Sequence, residues 1–537
     1  MNKKVLGKWL AAAALCAGAV VAYGVYGWNA RVSTNHLGLD LSDPDALILS
    51  HSLSSLPRDL LTIPIARDVL TEDFVYYYEQ GADWLGLKGS LRRIAYEHEL
   101  GWGDELLRTV LDQPAEVALW RDADGTLKHY AIVLSRTALT RVFEEAGKVA
   151  LKDAQMRRAG ELEVDGDSVP LYALDHGPGR TLLFAGHGNR MLILSHPGML
   201  LGAPDKEGDG AVDARAHAVV RSLLAASGKE HGALRARFQM DGGIPAGHSV
   251  AVKTDFLSFG YQPFFGALQA LRFDFSRGAW QSQALVDAGK LAQGGYDSSA
   301  LWGVLPYHPS ACFSLPADWS AMGPVLERLK APDGADLDKL ASRFGGPAAA
   351  CWYGDSRLFT PVFVARRTPS QSAAQPAAAG GDDALFGSLF GALVGGETRH
   401  GAADGAQRWQ RTVKTAEGEV TPTLAVTGDT AVFSADPALV DAVLAVRRKQ
   451  AAAALDHLPA PARTIGLLDP AALSRLIERE AFDALPAASE PVLRGAADAH
   501  LLPRLAVLKK YPPYRMVTGT LPASGSAWTT LEWQPIR

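Results

Sequence analysis

The sequence is poor in cysteine, in net charge and in long apolar runs. It has three cysteines in 537 residues and a formal net charge of −5. A slightly acidic balance argues against nucleic acid as a main partner, because binding to phosphates needs a basic surface. Only one stretch, Trp9–Ala30, is apolar enough and long enough to cross a bilayer.

Motifs for catalysis and for cofactor binding are also absent from the sequence. It contains no Gly-x-Ser-x-Gly elbow and no His-Glu-x-x-His pair. The glycine-rich stretches 176–179 and 186–189 lie between strand-like runs, so we interpret them as hairpin turns rather than phosphate cradles. Five histidines show no ligand spacing: His51, His98, His129, His187 and His196. The sequence therefore predicts no catalytic residue, no cofactor and no metal ligand.

The uncharged run Trp9–Ala30 predicts a membrane segment. As a helix of about 22 residues it is about 33 Å long, against about 30 Å of hydrocarbon in a bilayer. Lys3, Lys4 and Lys8 precede it, so the positive-inside tendency keeps the N-terminus in the cytoplasm and exports the rest. A cleaved signal peptide is the alternative. We expect a single-pass inner-membrane protein whose bulk lies in the periplasm.

Cys312 and Cys351 follow this segment and lie in apolar, strand-like contexts. Export places both in an oxidising compartment, where a disulfide forms and persists. If their strands are neighbours, a disulfide closes a loop of about 40 residues and contributes about 4 kcal/mol. Two separate buried thiols are the alternative.

One order of elements occurs twice along the exported region. Ser55-Leu56-Pro57 and Ser314-Leu315-Pro316 each open a helix-like segment, which is followed by a tryptophan-bearing hairpin. Gly188–Pro197 and Gly428–Pro437 then match in the spacing from glycine to proline. This order predicts an internal duplication, and a single large α+β body is the alternative.

The predicted fold class is α+β, with an N-terminal transmembrane helix followed by two tandem, duplicated domains of antiparallel sheets and packed helices. Residues 1–31 form the cytoplasmic stub and membrane segment. The first periplasmic domain takes residues 32–292 and the second takes residues 293–537. Residues 368–381 are rich in Ala, Ser, Gln, Pro and Gly, which predicts a surface loop inside the second domain.

The stretch 74–102 is denser in Tyr, Trp and Arg than a plain fold requires, and these residue types dominate binding hot spots. Core packing beside a charged helix face is the alternative explanation. We predict a protein-binding surface here. It consists of Tyr76, Tyr77, Trp84, Arg92, Arg93, Tyr96 and Trp102.

Three segments, Leu37–Leu41, Leu56–Leu61 and Gly89–His98, resemble the YfaA-like family of Gram-negative bacteria. Its members are envelope proteins with an N-terminal membrane segment, and they are often encoded beside a bacterial alpha-2-macroglobulin. The resemblance implies an accessory role in that protease-trap system, with an alpha-2-macroglobulin-like protein as partner. The resemblance identifies no catalytic residue in this chain.

We therefore predict a membrane-anchored periplasmic accessory or scaffold protein without catalytic activity, which acts by contact with another envelope protein. Two alternatives remain open. An envelope hydrolase would assemble its active site from scattered residues, and it predicts a concave pocket where titratable groups converge. A lipid-contacting structural protein would instead show an exposed apolar groove.

Overall fold

The computed structural model describes most of the chain from Leu37 to Ile536. The described residues are 37–69, 90, 112–122, 125–135, 153–177, 180–201, 214–225, 232–240, 242–257, 265–291, 296–321, 341–354, 356–367, 379–403, 405–415, 418–484 and 491–536. They divide into two compact units. Unit 1 takes the described residues up to Lys253 together with Ala270–Gln281, and unit 2 takes Thr254–Gln269 together with those from Ser282 onward.

Unit 1 is built around an antiparallel sheet. Its strands are β1 (Ala46–Ser50), β2 (Ala115–Arg121), β3 (Leu127–Ser135), β4 (Met156–Val164), β5 (Asp167–Gly177), β6 (Arg180–His187), β7 (Arg190–Leu194), β8 (His248–Lys253) and β9 (Leu268–Ser276). They lie side by side in the order β4-β5-β6-β7-β3-β2-β1-β8-β9, and each of these pairings is antiparallel.

The centre of this sheet is buried on both faces. All five residues of β1 are buried, as are the first six of β2. Such continuous burial indicates cover on both sides, because a half-exposed strand alternates between buried and exposed residues. Elsewhere in the same sheet, β6 and β7 are joined by a two-residue turn in which Gly188 has a φ of +52°. The hairpin predicted at residues 186–189 is therefore confirmed.

The described helices of unit 1 have 5 to 11 residues. They are Leu56–Leu60, Pro64–Val69 and Ala214–Leu224, with 3-10 turns at Pro197–Met199 and Ala236–Phe238. The first begins with a proline among its first residues, where the missing N–H is not needed. It follows β1 after a few residues and lies beside the start of β8, which matters for the site described below.

Unit 2 also has an antiparallel sheet. Its strands are β10 (Ala279–Asp287, from Ser282), β11 (Ala311–Leu315), β12 (Phe344–Trp352), β13 (Val362–Arg367), β14 (Arg399–Ala403), β15 (Ala406–Gln410), β18 (Thr423–Val426), β19 (Thr430–Ser434), β20 (Thr464–Leu468), β21 (Tyr514–Thr518) and β22 (Ser526–Pro535), while β16 (Val413–Thr415) and β17 (Gly418–Val420) form a separate hairpin. The order in the sheet is β14-β15-β18-β19-β13-β12-β11-β20-β21-β22-β10. From β14 to β21, this order repeats the connections of unit 1 from β4 to β9.

Helices pack on the sheet of unit 2 in separate apolar clusters. The helix Pro437–Arg447 contributes Val440 and Val443 to one cluster, and Asp436 caps it by accepting from the Ala438 backbone N–H at 2.9 Å. The helix Ala379–Val394 contributes Phe386 to another. The remaining helices and turns are Thr254–Leu257, Ala288–Lys290, Ser299–Trp302, Trp319–Ala321, Ala454–His457, Pro461–Arg463, Pro470–Ala484, Pro491–Ala496, the π-helix Ala497–Leu501 and Leu502–Leu508.

The predicted fold class is wrong for the part of the chain that the structure describes. This part is mostly antiparallel sheet with few helices, rather than α+β domains with packed helices behind a transmembrane helix. Alternating apolar runs pair as strands, whereas the helix-like run that begins at Trp319 forms only a 3-10 turn, Trp319–Ala321, within the described residues. Among the described helices, none is long and apolar enough to cross a membrane.

Two predicted segments lie wholly or largely outside the described residues. The first is the range 1–31, which includes the predicted membrane segment Trp9–Ala30. The second is the predicted surface loop at 368–381, of which residues 379–381 are described and begin the helix Ala379–Val394.

Candidate functional site

The structure describes only part of the predicted site residues. The predicted protein-binding surface lies outside the described residues, and its members are Tyr76, Tyr77, Trp84, Arg92, Arg93, Tyr96 and Trp102. Cys312 on β11 and Cys351 on β12 are described. They are register partners on neighbouring strands, are joined by a disulfide, and are fully buried.

A cluster of polar side chains lies in unit 1 where β1 ends and β8 begins. Ser50, the last residue of β1, is the register partner of His248, the first residue of β8. His51 follows directly, and its backbone N–H donates to the carbonyl oxygen of Gly247 at 3.2 Å. Asp59 belongs to the short helix Leu56–Leu60. One strand pairing and one helical turn therefore bring His51, Asp59 and His248 together.

These three side chains can present their polar atoms to one point. Each offers one potential ligand atom, and the three atoms lie within 4.8 Å of one another. One pair, His248 Nε2 and Asp59 Oδ2, is 3.1 Å apart. The rings of His51 and His248 are 4.7 Å apart between centroids. Two imidazoles and one carboxylate in this arrangement are a donor set that suits a transition metal.

Neighbouring groups fix the orientation of both imidazole rings. Ser50 Oγ lies 2.8 Å from His248 Nδ1 and accepts from the backbone N–H of Ser52 at 3.1 Å. His51 Nδ1 lies 3.1 Å from the carbonyl oxygen of Gly247. In both histidines, Nδ1 is therefore held by a neighbour and Nε2 is directed to the centre of the cluster.

Burial decides the charge of His248, whose side chain is not exposed at all. Loss of hydration lowers the pKa of this imidazole, and the nearby His51 lowers it further, against the opposing effect of the hydrogen bond to Asp59. Near neutral pH, His248 is therefore uncharged. An ionic neighbour of Asp59 is Arg277, whose Nε lies 3.9 Å from Oδ1 of the carboxylate.

A serine hydroxyl lies beside the cluster. Ser55 Oγ is 3.5 Å from Nε2 of His51 and 3.5 Å from Nε2 of His248. Ser50, in contrast, is fully buried and is occupied by His248 and the backbone N–H of Ser52. Ser50 is therefore suited to orienting the imidazole and unsuited to attacking a substrate. The chemistry open to this cluster is metal binding, or proton transfer by the imidazole that Asp59 orients.

Sequence reasoning missed this cluster. In the sequence, His51 shows no ligand spacing, and neither Asp59 nor His248 is singled out. His248 lies on β8, far along the chain, and meets His51 only through the pairing of β1 with β8. No local motif encodes that pairing, so no spacing rule could have shown the site.

A shallow pocket of about 240 Å³ lies in unit 2, between the helix Pro470–Ala484 and the helical residues that follow 491. It is lined by Glu478, Arg479, Phe482, Asp483, Arg494, Asp498 and Leu502. The guanidinium of Arg494 lies 4.0 Å above the ring of Phe482 and 3.7 Å from the carboxylate of Asp498. Arg494 is thus paired with Asp498, and no imidazole is among the residues that line the pocket.

Comparisons with known proteins agree on one family. A family model described as an uncharacterized protein conserved in bacteria (DUF2138) matches residues 6–533. The chain is 32% identical over 544 residues to the uncharacterized protein YfaA of Escherichia coli (strain K12), and the match covers 94% of this chain and 92% of that protein. No solved structure matches the chain at a significant level. The resemblance to the YfaA-like family is therefore confirmed, and neither description names an activity or a partner.

Proposed function

The chain belongs to the DUF2138 family of bacterial proteins, and on that premise we propose that it is an exported accessory protein of the bacterial envelope. Its bulk lies on the periplasmic side of the inner membrane, and it acts by binding another envelope protein. The resemblance stated above implies the chemistry of that partner, an alpha-2-macroglobulin-like protease trap.

The disulfide between Cys312 and Cys351 is the observation that carries the periplasmic location. Disulfides form and persist in oxidising compartments and are rare in the cytosol. Here the two residues are paired in register on β11 and β12 and are excluded from solvent. The lysines before Trp9–Ala30 support the same direction of export.

Thiol trapping in cells tests the location. Cells that express the full chain are quenched in acid, and the denatured protein is alkylated with a maleimide that adds mass, with and without prior reduction. We expect Cys312 and Cys351 to react only after reduction, because both are in the disulfide. The double variant C312A/C351A should show no effect of reduction. A wild-type protein whose two thiols react without reduction would contradict periplasmic export.

The binding role has its support in the Tyr-, Trp- and Arg-rich stretch 74–102, because these residue types dominate binding hot spots. In-cell crosslinking of the tagged full chain, followed by mass spectrometry, should recover an envelope protein in a stoichiometric amount. The triple variant R92A/R93A/Y96A should lose that protein. The matched control K414A changes a side chain that is 87% exposed in unit 2 and should retain it. Recovery of the chain alone, with efficient crosslinking, would refute the binding role.

The His51–Asp59–His248 cluster favours a second candidate function, an envelope hydrolase. An imidazole oriented by a carboxylate, or a metal held by the three residues, would activate water for attack on a peptide or on peptidoglycan. Purified full-length protein should then release soluble fragments from peptidoglycan or cleave peptides, and D59N should not. Equal release by D59N and the wild type would end this candidate.

A further inference from the structure

We propose that His51, Asp59 and His248 bind one divalent transition-metal ion of the zinc type. Each residue offers one ligand atom, and the three atoms lie within 4.8 Å of one another. We assign Nε2 as the ligand atom of each histidine, because Nδ1 of each is held by a neighbour. The proposal does not rest on the binding role, because it uses only contacts within unit 1 and would hold whichever partner the protein has.

The spacing of one donor pair fits a small ion. His248 Nε2 and Asp59 Oδ2 are 3.1 Å apart. Two ligands of a tetrahedral zinc ion, each at about 2.0 Å, are about 3.3 Å apart. Calcium and magnesium prefer sets made of oxygen atoms, whereas imidazole nitrogens suit zinc, cobalt and iron. Two imidazoles among three ligands therefore select the transition metals.

His51 already has the tautomer that a metal ligand needs. Its Nδ1 lies 3.1 Å from the carbonyl oxygen of Gly247, and a carbonyl oxygen only accepts hydrogen bonds. Nδ1 therefore carries the proton, and Nε2 keeps its lone pair toward the cluster. Metal-binding histidines commonly donate the other ring N–H to a carbonyl or a carboxylate in this way.

His248 can take up a metal without losing a proton. In the structure its Nε2 faces the carboxylate of Asp59, so Nε2 carries the proton and the hydroxyl of Ser50 donates to Nδ1. When a metal ion takes the place of that proton, the proton moves to Nδ1 and donates to Ser50 Oγ. A hydroxyl can serve in both states because it is a donor and an acceptor.

A tetrahedral ion held by these three residues would have a fourth position for a ligand from outside the protein. Three protein ligands and one open position are the arrangement of catalytic zinc sites. Ser55 Oγ, at 3.5 Å from both Nε2 atoms, is placed to hydrogen-bond a water on the metal. His51 is only partly buried, which provides a way in for the ion.

Metal titration of the purified full-length protein tests the proposal. The protein carries an affinity tag without histidine, is stripped with a chelator, and is titrated with Zn²⁺ in competition with a chromophoric chelator. We expect one equivalent to bind, and Co²⁺ to give the visible absorption of a four-coordinate site. H51A and D59N should weaken binding at least about 100-fold, and S50A by about 10- to 100-fold.

His187 provides a matched control, because its Nε2 also lies 3.2 Å from a carboxylate, that of Asp167, elsewhere in unit 1. H187Q should bind zinc like the wild type. Absence of a stoichiometric site, or unchanged affinity in folded H51A and D59N, would overturn the proposal. Since the titration contains no partner protein, its failure is separate from any failure of the crosslinking experiment.

Discussion

Ser50 and His248 are register partners on β1 and β8, and Ser50 Oγ lies 2.8 Å from His248 Nδ1. Both residues are almost completely removed from solvent. The contact fixes the imidazole so that its other nitrogen faces Asp59, at 3.1 Å. The orientation of the central histidine is therefore set by a strand pairing rather than by a loop.

Replacing Ser50 by alanine should destabilise the protein by about 1–3 kcal/mol, because the buried Nδ1 of His248 loses its partner. Urea unfolding, with hydrogen exchange of peptides from β1 and β8, measures the change in the free energy of unfolding. Ser55→Ala is the matched control, since Ser55 Oγ contacts the same ring only at 3.5 Å. If both variants lost the same free energy of unfolding, the 2.8 Å contact of Ser50 would contribute no more than the 3.5 Å contact of Ser55.

Gly247→Ala should lower both stability and zinc affinity. A Cβ on Gly247 would lie 2.4 Å from the carbonyl oxygen of Phe275, so the backbone would have to shift, at a cost of about 1–3 kcal/mol. The shift moves the carbonyl that orients His51. A Cβ on Gly243 meets no atom within 4 Å, so Gly243→Ala should change stability by less than about 0.5 kcal/mol. The prediction fails if both alanine variants unfold at the wild-type urea concentration.

Unit 1 should lose stability as the pH falls from about 6.5 toward 4, because of His129. Burial, assisted by the nearby His196, lowers the pKa of His129 to about 4 from its usual 6.5. In this window the unfolded chain binds the proton and the folded chain does not, so acid favours unfolding, by up to about 3 kcal/mol. His129→Gln should show a flatter dependence of unfolding free energy on pH. Parallel curves for the variant and the wild type would refute this assignment.

Arg235→Met should destabilise unit 1 by about 3–5 kcal/mol, because it leaves the carboxylate of Glu116 buried without its cation. Glu116 Oε2 accepts from Arg235 Nε at 3.0 Å and from Nη2 at 2.9 Å, and both residues are buried. The double variant E116L/R235M removes both charges and should recover most of the loss in urea unfolding. A double variant as unstable as R235M would point to lost packing instead.

The variant C312A/C351A should lose about 4 kcal/mol of stability in unit 2, because the disulfide closes a loop with a sequence separation of 39 residues. Urea unfolding followed by hydrogen exchange of peptides from β11 and β12 measures the effect. Wild-type protein unfolded in a reductant is the matched comparison and should show a similar loss. An unchanged midpoint in both cases would contradict the prediction.

The sequence predicted the local elements well. The tryptophan-bearing hairpin of the first half is β2 and β3, and the turn at Gly188 joins β6 and β7. Each of these depends on residues close in the chain. Turn glycines, alternating apolar residues and helix-forming runs act over a few residues, so they are visible without the fold.

The sequence did not predict the fold class or the cluster in unit 1. The balance between sheet and helix depends on which apolar runs find partners, and one of the two partners of β1 is β8, about 200 residues later. His51, Asp59 and His248 become neighbours only through that pairing. Their residue types are common and their spacing is not informative, so only the three-dimensional structure reveals them.

The place of β1 in the sheet also determines how long, during synthesis, one of its edges stays unpaired. β1 lies between β2 and β8, and all of its residues are buried in the folded protein. At about 5–20 residues per second, the ribosome needs about 10–40 s to add the chain from Ser50 to His248. During that interval the edge of β1 that pairs with β8 in the folded protein has no partner strand. Unpaired strand edges tend to pair with other chains. The three residues of the candidate metal site can therefore come together only after most of unit 1 has been synthesised.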